Sequence, residues 1–160
     1  MGAAFELVQR YPQLQVAASR TERPFLSGEK MNLRLAQAEQ LQEHLPEEQK
    51  AFGLQFCEQL RAVRPVKVDL EVEEGDWFPW AGGCRVLATP GHTPGHISLY
   101  LEQEQVLITG DAAVAEGGQL EVANPQFCLD PEQAERSLER LRGVPCARYI
   151  CYHGGVLEKG

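Results

Sequence analysis

The stretch Thr89-Pro90-Gly91-His92-Thr93-Pro94-Gly95-His96 writes one tetrapeptide twice, and it follows directly on a compact apolar run, Cys84 to Thr89. Two further runs end in the same way. Val106 to Thr109 leads into Gly110-Asp111, and Arg148 to Tyr152 leads into His153-Gly154-Gly155. With Ile97 to Leu101 these runs have the length and β-branched or aromatic content of strands, bounded by Gly and Pro. Three histidines or acids therefore sit at junctions that follow strands, where a rigid scaffold brings polar groups together.

Such a convergence suits a metal. Zinc takes imidazole nitrogen and carboxylate oxygen, and a catalytic site leaves one position for water. His92, Asp111 and His153 are ligands of that type. The neighbouring glycines let the chain turn without a Cβ penalty, and Pro90 and Pro94 reduce the entropy lost in holding His92 still. Each signal also has an ordinary reading. Pro94 and Gly95 argue against a helix, so the four-residue spacing of His92 and His96 does not put them on one helical face. A Gly-Asp after a strand is often a plain turn, and a His before Gly-Gly can be a cap. His44 stands in a charged helical context and reads as solvated.

Upstream the chain is helical in character. Ala4, Leu7 and Val8 share a helical face that ends at Tyr11-Pro12, and Leu14 to Ala18 reads as a short strand. Asn32 is placed to cap a helix carrying Leu35, Ala38, Leu41 and Leu45. Pro46 opens another, with Phe52, Phe56, Leu60 and Val63 on one face and Pro65 closing it. Residues 32–64 either cover the site or simply pack on the sheet. From Val66 onward strands dominate, Val68 to Val72 among them. One helix interrupts them: Asp130 caps it, Pro131 and Gln133 fill its first turn, Ala134, Leu138 and Leu141 form its apolar stripe, and Gly143 stops it. Trp77, Phe78 and Trp80 either line a pocket or anchor packing. The whole is one α+β domain, with a helical insertion at 32–64 and a strand-rich metal-binding part at 66–160.

Composition narrows the partners. The 160 residues carry a formal net charge of -8, which disfavours nucleic acid, whose phosphates need a basic face. No apolar stretch approaches the roughly 20 residues of a membrane helix, and the N-terminus shows no secretory pattern. The odd set Cys57, Cys84, Cys128, Cys146 and Cys151, with no Cys-x-x-Cys pair, reads as reduced thiols in a cytoplasmic protein. A small-molecule substrate is the expected partner.

The ordered set resembles the metallo-β-lactamase superfamily. Thr89 to His96 looks like its third metal motif, Gly110-Asp111 like its bridging aspartate, and Tyr152-His153-Gly154-Gly155 like its last histidine motif. Asn124-Pro125-Gln126-Phe127 and the capped helix after it look like a bacterial branch of that superfamily. The resemblance implies a four-layer αβ/βα sandwich of which this chain is the C-terminal part. It also implies two Zn2+ per complete site, with His92 on the first, His153 on the second and the catalytic Asp111 bridging both. His96 would be a hydrogen-bonding neighbour that fixes the loop. The implied reaction is attack by a metal-activated hydroxide on an ester, thioester, lactone or β-lactam carbonyl.

One motif of the family, His-x-His-x-Asp-His, is absent. In a complete member it precedes a helix like Ala3 to Tyr11, with an apolar residue and a glycine between, and Met1-Gly2 fits that position. The expectation is a chain that starts just after the motif and leaves two protein ligands per metal. One apolar sheet face would then be bared, and the chain alone would be marginal, homo-oligomeric or aggregation-prone. Two other functions stay open: a non-catalytic remnant with weak metal or partner binding, and a mononuclear-iron dioxygenase relative.

Overall fold

The computed structural model describes residues 2–123 and 127–159. Its chain divides into two compact units, Met1–Ala18 with Glu22–Glu71, and Ser19–Thr21 with Val72–Gly160.

The first unit is helical. α1 (Gly2–Arg10) ends one residue before Tyr11. A short α2 (Arg23–Leu26) carries Pro in its first turn. α3 (Leu33–Gln42) starts where expected, because the Asn32 side chain accepts from the Arg34 amide at 2.9 Å. α4 (Glu47–Arg61) follows Pro46, with Glu47 and Glu48 near the positive end of its dipole. The face of α4 that buries differs from the expected one. Phe52 is 74% exposed, and the buried residues are Gly53 and Cys57. The reason is close approach: a Cβ on Gly53 would sit 1.9 Å from Gln42 Oε1, so the glycine is the point where α3 presses on α4. A strand expected at Leu14 to Ala18 is reduced to β1 (Ala17–Ser19), which pairs with β2 (Leu70–Val72).

The second unit is built on a six-stranded sheet of order β10-β9-β6-β5-β4-β3. Its strands are β3 (Trp77–Phe78), β4 (Cys84–Ala88), β5 (Ile97–Leu101), β6 (Val106–Gly110), β9 (Arg148–Cys151) and β10 (Val156–Glu158). β4, β5 and β6 are antiparallel in sequence, whereas β6 and β9 are parallel. A hairpin of β7 (Val114–Glu116) and β8 (Gln119–Glu121) stands apart. The crossover between β6 and β9 includes α5 (Pro131–Gly143), capped by Asp130 through the Gln133 amide. α5 buries Ala134, Leu138 and Leu141, and its two leucines join Leu87, Leu107, Tyr149 and Cys151 of the sheet in one core. Each such leucine contributes about 1.5–3 kcal/mol of burial. Helices occur with a mixed sheet that is mostly antiparallel, so the class is α+β as expected. All five cysteines are buried, and none is in a disulfide. No helix among the described residues is long and apolar enough to cross a membrane. Asn124, Pro125 and Gln126 lie outside the described residues.

Candidate metal centre

The junction after β4 is held from three sides. Ala88 donates its N–H to Glu74 Oε2 at 2.6 Å and accepts at its carbonyl from Arg140 Nη1 at 2.9 Å. Arg140 also pairs with Glu74, so helix α5 and the segment before β4 grip the last strand residue together. The loop then folds on itself, with the Thr89 amide on the His96 carbonyl at 2.9 Å and the Gly91 amide on the Thr93 carbonyl at 3.1 Å. Ser137 on α5 donates to the Pro90 carbonyl at 2.6 Å, Asp130 donates its amide to the Gly91 carbonyl at 2.9 Å, and Ser19 donates to the Gly95 carbonyl at 2.6 Å. Gly91 has φ 132°, and a Cβ there would fall 2.3 Å from the Ala134 amide nitrogen on α5. Only glycine lets the helix come this near.

Strands β6 and β9 end on the same rim because they are parallel neighbours. Asp111 follows β6 and His153 follows β9. The Ala115 amide donates to the His153 carbonyl at 3.3 Å, and the Tyr152 amide to the Gly110 carbonyl at 3.3 Å. Gly110, at φ 59°, would place a Cβ 2.8 Å from His96 Nε2. Its lack of a side chain lets the His96 ring sit over the strand end.

The three sequence-expected ligand residues come together. His92 Nε2 lies 3.7 Å from Asp111 Oδ2, and His153 Nε2 lies 3.5 Å from Asp111 Oδ1. One imidazole thus faces each oxygen of a single carboxylate. Both separations exceed a hydrogen bond, and Asp111 Oδ1, although buried, accepts none. Bond lengths of about 2.0–2.2 Å to zinc put two ligand atoms of a tetrahedral ion roughly 3.3 Å apart. The two pairs are within a few tenths of an ångström of that edge, so the donors fit a metal on each side of Asp111. Among the described residues no group of three or more His, Cys, Asp or Glu side chains gathers round one point, so each position has two protein donors rather than three or four. The side chains grade outward: His92 is 16% exposed, Asp111 31% and His153 70%.

His96 is set apart from these. Its Nε2 accepts the Asp111 amide at 3.1 Å, and its Nδ1 lies 2.9 Å from Thr89 Oγ1. Burial, with a smaller contribution from His92 nearby, lowers its pKa to about 4 against the opposing pull of Asp111. It is therefore a neutral ring at neutral pH. His44 lies in the turn after α3 and is exposed, as expected. Trp77 and Trp80 are half-exposed: Trp77 donates to Glu102 at 2.9 Å, and Phe78 stacks on Trp80 with centroids 4.1 Å apart. Sequence reasoning missed Ser98, Glu74 and Arg140. Ser98 carried a signal, a small polar residue inside the apolar run Ile97 to Leu101, and the other two carried none.

Comparison with known proteins assigns the family. The family model described as "Metallo-beta-lactamase superfamily" matches residues 1–153. The chain is 36% identical over 89 residues to a hydroxyacylglutathione hydrolase of Methylococcus capsulatus, covering 54% of this chain and 32% of that protein. It is 40% identical over 80 residues to an N-acyl homoserine lactonase of Bacillus thuringiensis, covering 48% of this chain and 31% of that protein. A solved metallo-beta-lactamase family protein from Thermus thermophilus superposes with a TM-score of 0.63 at 25% identity, over 90% of this chain and 48% of that one. The aligned part of this chain spans about a third of the curated relatives' length. A family-model match over nearly its whole length, with a fold shared by the solved family member, makes the chain a member of the metallo-beta-lactamase superfamily.

Proposed function

We propose that His92, Asp111 and His153 hold Zn2+ in a centre that hydrolyses an acyl compound, an ester, thioester or lactone. The observation that carries this reading is the Asp111 carboxylate with one imidazole nitrogen facing each of its oxygens. His92 and Asp111 Oδ2 would hold one ion, and His153 and Asp111 Oδ1 the other. Zinc bound there supplies a water acidified to a pKa of about 7 and a Lewis acid for the carbonyl. The chain's own residues divide the remaining work. His92 sits in a loop clamped by α5, which holds its ring still. Asp111, fixed through its amide, keeps its two oxygens aimed at opposite sides. His153, the most exposed of the three, marks the open side by which a substrate enters. The relatives named above act on an acylated glutathione and on an acyl homoserine lactone, and both names describe an acyl group on a leaving group. That shared chemistry, with the net charge of -8, supports a small-molecule substrate rather than nucleic acid. Five buried cysteines without a disulfide suit the cytoplasm.

The test is hydrolysis. Protein stripped with a chelator and reloaded with Zn2+ or Fe2+ is assayed on an aryl ester, an acyl thioester and an acyl lactone. Turnover is expected only after metal is restored, with zinc the more effective, and Asp111→Asn is expected to lower it by about 100-fold or more. Undiminished turnover in chelator, or in Asp111→Asn, would contradict the reading.

A further inference from the structure

We propose that Thr89 and Ser98 are positioning residues for Asp111, acting through His96. The inference rests on the metal-centre reading above for its purpose, but its geometry stands alone. Four contacts join five polar groups in an unbroken line: the Asp111 amide to His96 Nε2 at 3.1 Å, His96 Nδ1 to Thr89 Oγ1 at 2.9 Å, Thr89 Oγ1 to Ser98 Oγ at 2.9 Å, and Ser98 Oγ to the Thr109 carbonyl at 3.1 Å. Thr89, Ser98 and Thr109 are all buried, with exposures of 0%, 1% and 0%, so water has little access to their hydroxyls.

The ends of the line fix its direction. A backbone N–H only donates, so His96 Nε2 must present a lone pair to Asp111. A carbonyl only accepts, so the single hydrogen of Ser98 is committed to Thr109. Ser98 then has none left for Thr89, and Thr89 must donate to Ser98. Thr89 in turn has none left for His96, so His96 Nδ1 carries the proton and donates to Thr89. Each hydroxyl gives once and receives once, and one tautomer of His96 satisfies the whole line. The line begins at Asp111 and returns to Thr109, the two residues that flank Gly110. It therefore staples the chain on both sides of the turn that aims the Asp111 carboxylate. Removing the Ser98 hydroxyl frees Thr89 to donate to His96 Nδ1, which pushes the ring proton to Nε2 and sets two donors, Nε2–H and the Asp111 N–H, against each other.

The experiment reads the tautomer in the metal-free full chain by 15N NMR of its imidazoles, and zinc affinity by calorimetry. Wild type is expected to show His96 protonated at Nδ1 and bare at Nε2. Thr89→Ser, which keeps the hydroxyl, should show the same pattern and keep its affinity for zinc. Ser98→Ala should give mixed tautomers, a displaced Asp111 amide signal and about a 10-fold loss of zinc affinity, the scale seen when groups behind a metal ligand are removed. Thr89→Val, which takes the acceptor from Nδ1, serves as the second variant if Ser98→Ala does not fold. A wild-type ring protonated at Nε2 overturns the proposal. So does a folded Ser98→Ala or Thr89→Val with unchanged tautomer and unchanged zinc affinity. Wild type that shows the expected tautomer, with the Ser98→Ala change in it, but takes up no zinc would bear out the relay and sink the metal reading, so the two failures are told apart.

Discussion

The smallest changes that should matter lie at single atoms around the loop of residues 89–96. Gly91 has no room for a Cβ, which would meet the backbone of Ala134 at 2.3 and 2.4 Å in a region of φ that other residues avoid. Gly91→Ala is expected to cost at least about 3 kcal/mol in urea unfolding, since neither helix α5 nor the strand end can retreat cheaply. Gly117→Ala is the control. It also has positive φ but nothing within 4 Å, and should cost about 1 kcal/mol. His96 gives a pH signature. Its folded pKa is lowered from 6.5 to about 4, first by burial. The unfolded chain therefore binds the proton more readily, and the stability due to the neutral ring is complete above pH 6.5 and is lost as pH falls toward 4. In the presence of chelator, the decline in wild-type stability across that window should be steeper than in His96→Gln, by an order of a few kcal/mol in total. Equal slopes would show that the ring is not buried neutral.

At the scale of elements, α5 is the brace of the centre. Its Ser137 hydroxyl, buried at 5% exposure, holds the Pro90 carbonyl, and its Arg140 holds that of Ala88. Ser137→Ala should cost about 1 kcal/mol in thermal unfolding and weaken zinc binding measurably, although Ser137 touches no ligand. Much of this frame was legible beforehand. β5 came out at the expected Ile97–Leu101, and the Asp130 and Asn32 caps were read from residue type and position. That His92, Asp111 and His153 would lie near one another was legible because each follows an apolar run and precedes or follows glycine. What escaped has a physical cause in each case. β3, β7, β8 and β10 are two or three residues long and offer too few positions for an alternation to show. The burial of α4 was misassigned because Gly53, with no side chain to count as apolar, is its contact point. The Glu74–Arg140 pair joins residues 66 apart, a distance over which one sequence says nothing. Ser98 looked like a lapse in an apolar strand because its partner, the Thr109 carbonyl, lies on the neighbouring strand.

Over the whole molecule, the edge strand β10 and its neighbour β9 leave apolar surface open. Ile150 is 37% exposed and Val156, its cross-strand partner, 58%, with Tyr152 following β9 at 76%. Such a patch favours self-association, and the proposed occupant is a second copy of the chain. Light scattering should show concentration-dependent association that falls in the double variant Ile150→Lys with Val156→Lys, and association unchanged by both lysines would place the contact elsewhere. The central claim concerns the rim above those strands, where one aspartate is proposed to serve two metal positions. It is tested most directly by calorimetric titration of the chelator-stripped chain with zinc, in wild type and in Asp111→Asn. Wild type is expected to take up zinc, and Asp111→Asn to lose uptake at both positions together, because each pairs a histidine with an oxygen of the same carboxylate. Zinc uptake by Asp111→Asn equal to that of wild type would contradict the account.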